Sequence, residues 1–293
     1  MTERPAHPDA AAVRSFWEGL GLPGLFDVHV HFLPPNIQRA VWAVFDAAGP
    51  KIGREWPIRY RESHEERVAI LRDFGVRRFS TLPYAHKPGV ATYLNDWSRE
   101  FAAGVPEVVS SATFYPEPEA GGYVAAEVHA GEIFKIHLQV GEFHLDDPLL
   151  DPVWGVLSDA GTPVVVHAGS GPVGNDFTGP GSMRRLLSRF PRLSLVVAHM
   201  GAPECAEFLA LAERYESVRL DTTMMFTEFF GASYPADLVP RLRDLQPKIL
   251  LGSDFPTIPY PYVEQLTGLA GLDLGDDWLR AVCWENGRDL IGL

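Results

Sequence analysis

Short apolar runs alternate with longer segments of helical periodicity, and this alternation limits the possible folds more than any other feature of the chain. Parallel strands buried on both faces read as continuous apolar runs, and helices usually connect them. The predicted strands lie at residues 25–31, 76–82, 108–114, 132–138, 163–167, 193–199, 218–221 and 249–253. Eight such units fit an α/β fold of the (β/α)8 TIM-barrel type, which typically takes about 250 residues; a doubly wound open sheet is the alternative.

Several of the predicted strands end in residues that bind divalent metals well. His29 and His31 close the first strand, His167 and His199 close two later ones, and Asp254 follows the last. Imidazole nitrogen and carboxylate oxygen are ordinary ligands of zinc. In a barrel the carboxyl ends of the strands meet around one axis, whereas an open sheet holds its first and last strands far apart. The pattern therefore favours the barrel, with a metal site at one end.

The pair His29 and His31 carries the sharpest single signal. Residues two apart in a strand point to the same face, about 6.6 Å apart along the chain, so both rings can bind one metal. Taken alone, the motif also fits two surface histidines on an edge strand. Asp27 lies on the same side. We expect it either to orient a ligand imidazole or to accept hydrogen bonds from buried backbone amides.

The composition argues against several classes of partner. The chain has 25 Lys+Arg against 38 Asp+Glu and a net charge of −13, whereas nucleic-acid binding needs basic side chains. No run approaches the roughly 20 apolar residues of a membrane span, and residues 1–12 lack the apolar core of a signal peptide. Cys205 and Cys283 are the only cysteines and lack metal-binding spacing. We therefore expect a reduced, cytoplasmic protein without nucleic-acid or membrane partners.

The chain is expected to divide into a short N-terminal extension, residues 1–22, and the barrel, residues 23–293. The extension is predicted to contain a short helix near residues 10–19. Ser63 and Glu66 predict a capping box at the start of one connecting helix, and Gly75 predicts its end.

Five motifs together resemble those of the amidohydrolase superfamily. They are F-D-V-H-V-H at 26–31, V-V-V-H-A-G at 164–169, V-V-A-H-M-G at 196–201, L-L-G-S-D-F-P at 250–256 and N-G-R-D-L at 286–290. The set is most similar to the branch that contains aminocarboxymuconate-semialdehyde decarboxylase and related lactonases. The similarity spans residues 25–293, and it is specific for the superfamily but not for a substrate.

This resemblance implies a division of roles among the strand-end residues. His29, His31 and His167 would bind one divalent metal, zinc or else manganese, and Asp254 would complete the shell. His199 would be a catalytic imidazole beside the metal. Some superfamily members carboxylate a lysine on the fourth strand to bridge two metals, and Lys135 falls there. In the branch resembled here that lysine stays an ammonium, so no second metal is expected. A homodimer is also suggested by the resemblance alone.

Three functions are open at this stage. The leading expectation is hydrolysis of a small amide, ester or lactone through a metal-activated water, with His199 and Asp254 as catalytic residues that manage protons. The second is non-oxidative decarboxylation of a small aromatic or unsaturated acid. The third is a barrel that binds a ligand without catalysis. In the loop of residues 32–62, Arg54 and Arg59 are candidates to bind the carboxylate of a small-molecule substrate.

Overall fold

The computed structural model describes residues 5–128, 133–230 and 234–293 as a parallel barrel surrounded by helices. The predicted strand at 132–138 begins at Glu132, which lies outside the described residues. The strand segments are β1 (Leu25–Asp27), β2 (Val76–Ser80), β3 (Val108–Val109), β4 (Ser111–Thr113), β5 (Ile133–His137), β6 (Val164–His167), β7 (Leu195–Val197), β8 (Val218–Asp221) and β9 (Ile249–Leu250). Every recorded strand pair is parallel.

The strands form two hydrogen-bonded sheets that together make one barrel. One sheet has the order β1-β2-β3 and the other runs from β4 to β9 in sequence order. Only Ser110 separates β3 from β4, so these are two pieces of the third barrel strand, and β5 is the fourth. At the other edge, Val28 N donates to Leu251 O (2.9 Å), and Val30 forms a parallel bridge with Phe255. The sheet therefore closes on itself, and the predicted TIM barrel is confirmed over the open sheet.

The helices lie between successive strands and cover the outside of the barrel. Their bounds are α1 (Ala10–Gly19), α2 (Pro35–Asp46), α3 (Gly49–Ile52), α4 (His64–Phe74), α5 (Ala91–Gly104), α6 (Ala120–Glu127), α7 (Leu138–Gly141), α8 (Asp151–Ala160), α9 (Pro180–Arg189), α10 (Cys205–Arg214), α11 (Val239–Asp244), α12 (Val263–Ala270), α13 (Asp276–Arg280) and α14 (Asn286–Leu290). Among the described residues, no helix has the length and apolar character needed to cross a membrane.

Several strands are shorter than the predicted apolar runs. At their carboxyl ends, backbone amides donate to side-chain oxygens instead of continuing the hydrogen bonds between strands. β1 stops at Asp27, whose carboxylate accepts from His29 N (3.1 Å). Val30 N then donates to the side-chain hydroxyl of Ser80 in β2 (3.1 Å) rather than to a backbone carbonyl of that strand. His29 and His31 therefore follow the strand instead of ending it. Likewise, β7 ends at Val197, and His199 lies in a 3-10 turn, Ala198–Gly201.

The N-terminal helix α1 packs against α4 and α12. Arg14 Nε donates to Asp73 O (2.6 Å) and Trp17 Nε1 donates to Phe74 O (2.9 Å), so α1 satisfies carbonyls at the end of α4. Gly75 ends α4 with φ 79°, and a Cβ there would lie 2.6 Å from the Trp17 ring. Glycine is therefore required both by the backbone and by the helix above it. The helix predicted near residues 10–19 is observed; residues 1–4 lie outside the described part.

The structure contains the capping box predicted from the sequence, and both cysteines are free thiols. Ser63 Oγ accepts from Glu66 N (3.3 Å) and Glu66 accepts from Ser63 N (3.0 Å), which confirms the capping box at the start of α4. Cys205 and Cys283 are buried free thiols.

Candidate metal centre

Four histidines and an aspartate from distant parts of the chain converge at the carboxyl end of the barrel. The candidate ligand atoms of His29, His199 and Asp254 lie within 4.8 Å of one another. Asp254 Oδ1 is 3.0 Å from His31 Nε2 and 3.5 Å from His29 Nε2. The His167 ring centroid is 4.7 Å from that of His199. All five residues singled out as ligands or catalytic groups are thus brought together.

The hydrogen bonds at the outer nitrogens determine where the free lone pairs point. His31 Nδ1 lies 2.9 Å from Leu82 O, and His199 Nδ1 lies 3.2 Å from Thr223 O. A carbonyl oxygen only accepts, so each Nδ1 carries the proton and each Nε2 presents a lone pair. His29 Nδ1 likewise donates to a carboxylate, Asp221 Oδ2 (2.8 Å).

His31 Nε2 and His29 Nε2 lie 3.0 and 3.5 Å from Asp254 Oδ1, so acceptor atoms face each other, and the nearest cation in the described part of the chain is Lys135 Nζ, 3.1 Å from His29 Nε2. Such an arrangement is favourable only with a cation or a proton between the groups. Imidazole nitrogens and a carboxylate oxygen are also the donor set that zinc and manganese accept. The residues present therefore fit a divalent metal on the chemistry of their donors.

His167 is held in the opposite sense from the other histidines. Its Nε2 donates to Gly171 O (3.1 Å), which leaves Nδ1 as the lone pair. His137 is its direct neighbour across β5 and β6, and the two rings stack with centroids 3.9 Å apart and planes 11° apart. His137 therefore lies beside the candidate metal site.

Six aromatic rings form a closed belt around the centre. Neighbouring rings in the belt have centroids 3.9–5.6 Å apart. In order they belong to His29, His31, Tyr84, His137, His167 and His199. His29 is buried at the floor, whereas Tyr84, His137 and His199 are partly exposed. The open side of the belt is therefore bordered by these three residues.

Lys135 reaches the centre from the fourth barrel strand, as its position in the sequence suggests. Its Nζ lies 3.1 Å from His29 Nε2, and the side chain is fully buried. Burial lowers the pKa of Lys135 to about 8, although the charges of Asp221 and Asp254 oppose the shift. Its ammonium form therefore adds positive charge at the floor of the site.

Burial keeps His29, His167 and His199 neutral near pH 7, as metal binding requires. Burial and the nearby Lys135 ammonium lower the pKa of His29 to about 4. Burial and the charge of His29 lower the pKa of His199 to about 4 as well.

Backbone geometry directs two of the side chains into the site. His199 has φ 54° and Asp254 has φ 67°, a left-handed conformation that is uncommon for residues other than glycine and often marks functional positions. Gly252 packs under the centre: a Cβ there would lie 2.3 Å from Thr223 Oγ1 and 2.8 Å from His29 Cβ. The glycine of the L-L-G-S-D motif thus leaves room for the His29 ring.

Asp221 is a residue of the site that the sequence analysis did not single out. Besides its bond to His29, its Oδ1 accepts from His199 N (2.9 Å) and Thr223 N (3.2 Å). It is fully buried at the end of β8. The carboxylate that holds the imidazole of the candidate ligand His29 is therefore Asp221. Asp27 instead takes the other expected role, because it accepts from backbone amides of His29 and Ser253.

The two candidate arginines differ in their surroundings. Arg59 donates to both carboxylate oxygens of Asp9 (3.3 and 3.2 Å), so its recorded side-chain contacts are with the N-terminal segment. The Arg54 guanidinium lies over the Phe229 ring, 5.2 Å from its centroid. Phe229 in turn packs against Tyr260, whose pKa is raised by burial and by the charge of Asp254. Of the two, Arg54 is the one whose guanidinium packs on an aromatic ring rather than on the N-terminal segment.

Replacing Asp221 by asparagine is expected to lower the affinity for zinc by about 10–100-fold, because the amide cannot hold the His29 ring as an anionic acceptor does. The measurement is a competition titration of the metal-free protein with a chromophoric chelator. Asp289→Asn, an exposed change near the chain end, is the control. Unchanged zinc affinity in Asp221→Asn would contradict the orienting role.

Comparison with protein families identifies the relatives of this chain. The sequence profile of the family described as Amidohydrolase matches residues 26–293. The chain belongs to the amidohydrolase family. The recognition of this superfamily from the motifs is therefore confirmed. No curated protein matches the chain in sequence.

Solved structures of low sequence identity share the fold of this amidohydrolase. An uncharacterized TIM-barrel protein from Bordetella bronchiseptica is 20% identical with a TM-score of 0.72, over 92% of this chain and 99% of that one. The 2,6-dihydroxybenzoate decarboxylase from Rhizobium is 16% identical with a TM-score of 0.67, over 92% and 99%. A 5-carboxyvanillate decarboxylase from Novosphingobium aromaticivorans, solved with manganese and 4-hydroxy-3-methoxy-5-nitrobenzoic acid, is 14% identical with a TM-score of 0.63, over 93% and 97%.

Proposed function

We propose that this amidohydrolase is a mononuclear metal-dependent enzyme that decarboxylates a small aromatic or unsaturated acid without oxidation. The observation that carries the metal-dependent part is the convergence of imidazole lone pairs on the Asp254 carboxylate. In the proposed division of roles, His29, His31, His167 and Asp254 hold the metal and His199 stands beside it. When bound, the metal supplies a Lewis acid that polarises substrate oxygens.

Two features support an acid as the substrate. They are the positive charge at the floor of the site and the aromatic ring faces at the open side of the belt. Lys135 contributes a buried cation next to His29, which favours an anionic group bound in the centre. Tyr84 and His137 present aromatic surface at the open side, where a flat ring can stack. The two decarboxylases described above are named for aromatic acids, 2,6-dihydroxybenzoate and 5-carboxyvanillate, which supports the same choice.

The residues then have the following roles in the reaction. Tyr84 and His137 hold the ring of the acid at the open side, and Arg54 is the candidate to orient a distal polar group. The bond between the ring carbon and the carboxylate carbon breaks with its electron pair left on the ring carbon. His199 Nε2, whose Nδ1 is fixed on Thr223 O, first takes up a proton from solvent at the open side and then passes it to that carbon, while the carboxylate carbon leaves as carbon dioxide.

Hydrolysis of a small amide, ester or lactone is the second candidate, favoured by the proximity of two proton acceptors. Asp254 and His199 are both within the ligand cluster, and such a pair can accept a proton from an attacking water. The belt of rings does not exclude a compact lactone.

The two functions are distinguished by their products. Metal-loaded protein is expected to release carbon dioxide from members of a panel of hydroxylated benzoates and to leave aryl lactones and amides intact. A coupled carbonate assay and chromatography of both panels make the measurement. Ring-opening of lactones without carbon dioxide release would establish the hydrolase instead. Activity unchanged after complete metal removal would contradict both proposals.

A further inference from the structure

The barrel closes at a seam between the segments that contain β1 and β9. The hydrogen bonds across this seam lie largely outside the regular pairing of the strands. β1 is recorded in one sheet and β9 in the other. Val28 N donates to Leu251 O (2.9 Å), and Asp254 N donates to His29 O (2.7 Å). The two segments that meet at this seam carry His29 and Asp254. Their relative placement therefore sets the distance between two of the proposed metal ligands.

The Asp27 carboxylate joins the two segments directly. Its Oδ1 accepts from His29 N and from Ser253 N, both at 3.1 Å, and Ser253 immediately precedes Asp254. Its Oδ2 accepts from the Tyr262 hydroxyl at 2.8 Å. Both side chains are fully buried. One oxygen thus fixes the backbone on each side of the seam, and the tyrosine fixes the other oxygen.

The tyrosine is anchored through a second tyrosine to the N-terminal segment. Tyr262 N donates to the Tyr60 hydroxyl (2.8 Å), which in turn donates to Asp9 Oδ2 (3.3 Å). Asp9 immediately precedes α1, which lies outside the matched residues 26–293. Asp9 is therefore linked to the backbone of His29 by hydrogen bonds through Tyr60, Tyr262 and Asp27, with the Tyr262 side chain joining the bond at its amide to the bond at its hydroxyl.

We infer that Asp27 and Tyr262 are positioning residues of the metal centre, and that Asp9 is the outer anchor of the same linkage. The inference rests on the proposed metal site. Neither side chain contacts the candidate ligand atoms through its own carboxyl or hydroxyl group; both act through the backbone that carries the ligands. Buried polar groups that fix ligand-bearing segments in this way sharpen the geometry that a metal requires.

Tyr262→Phe tests the inference because it removes only the hydroxyl. We expect its dissociation constant for zinc to rise about tenfold in competition with a chromophoric chelator. Trp154→Phe is the matched control, since it removes another buried hydrogen bond, from Trp154 Nε1 to Leu145 O (2.8 Å). The control is expected to lower the urea midpoint of the metal-free protein while its zinc affinity stays within about twofold.

Coupling between the two residues separates positioning from general destabilisation. In an Asp27→Ala background, Tyr262→Phe is expected to have no further effect on zinc affinity, because the tyrosine acts through that carboxylate. Asp27→Asn retains an acceptor for the two amides and is expected to bind zinc better than Asp27→Ala. If Asp27→Ala does not fold, Tyr262→Phe and Asp27→Asn measured against Trp154→Phe still decide.

The outcomes distinguish this inference from the proposed function. Wild-type zinc affinity in Tyr262→Phe, or an equal loss in Trp154→Phe, would overturn the positioning role while leaving the metal centre in place. A wild-type protein that binds no zinc would overturn the metal centre together with this inference. Asp9→Ala leaves Arg14 and Trp17 to hold α1 and is expected to weaken zinc binding by a smaller factor. No change in that variant would remove Asp9 from the linkage.

Discussion

Asp254→Asn is expected to abolish stoichiometric metal binding and to lower turnover by at least about 10²–10³-fold. The carboxylate oxygen lies 3.0 Å from His31 Nε2 and 3.5 Å from His29 Nε2, so it supplies negative charge at the point where these lone pairs meet. An amide is isosteric but uncharged. It leaves the imidazoles in place without the negative charge that balances a divalent cation. The measurements are metal content after dialysis and carbon dioxide release.

Asp273→Asn provides a control with matched backbone conformation. Asp273 has φ 53° and is exposed, and Asp254 has φ 67°. Aspartate and asparagine both tolerate this left-handed region, so neither substitution adds backbone strain of its own. The control should keep full metal content and activity. If Asp254→Asn also retains stoichiometric metal, the carboxylate is not a ligand, and the site would have to be centred on the imidazoles alone.

The barrel and the convergence of five candidate residues at its carboxyl end could be predicted because both depend on local pattern. Apolar runs and helical periodicity predicted the strand–helix alternation, and the capping box at Ser63 was visible within four residues. The strand-end position of His29, His31, His167, His199 and Asp254 was enough to expect convergence, since barrel topology places such ends together. The structure brings those five residues to one place.

What the sequence could not predict depends on partners that are distant in the chain. Asp221 ends a predicted strand just as His167 does, which was the available signal, but its role follows from a bond to His29, 192 residues away. Asp27 had two open roles, and the choice between them depends on Ser253 and Tyr262 across the seam. Neither pairing leaves a trace in local periodicity.

Neither the exact ends of the strands nor the directions of the two arginines could be predicted from the sequence, for related reasons. His199 was predicted to end a strand, but its φ of 54° places it in a tight turn. Its amide is satisfied by Asp221, which sequence pattern cannot reveal. Arg54 and Arg59 share one loop and similar surroundings in sequence. Only the packing of the N-terminal segment shows that Arg59 reaches Asp9, whereas Arg54 lies over Phe229.

His199→Asn is expected to lower turnover by about 10²–10⁴-fold while leaving metal content near that of the wild type. The proposed role of His199 is to move a proton at Nε2, since its Nδ1 is fixed on Thr223 O at 3.2 Å. Asparagine accepts the left-handed backbone at this position but cannot exchange a proton near pH 7. The measurements are again metal content and carbon dioxide release.

The same variant also tests whether His199 is a metal ligand, because its ring lies close to the other candidate ligands. The candidate ligand atoms of His29, His199 and Asp254 form a cluster within 4.8 Å, so the distances allow His199 to bind the metal itself. Loss of metal from His199→Asn but not from His31→Asn would make His199 the ligand and free His31 for proton transfer. His144→Asn, at an exposed histidine packed on Phe177, should change neither quantity. Because ligand loss changes metal content and acid–base loss changes only turnover, the two roles give different results in one pair of measurements.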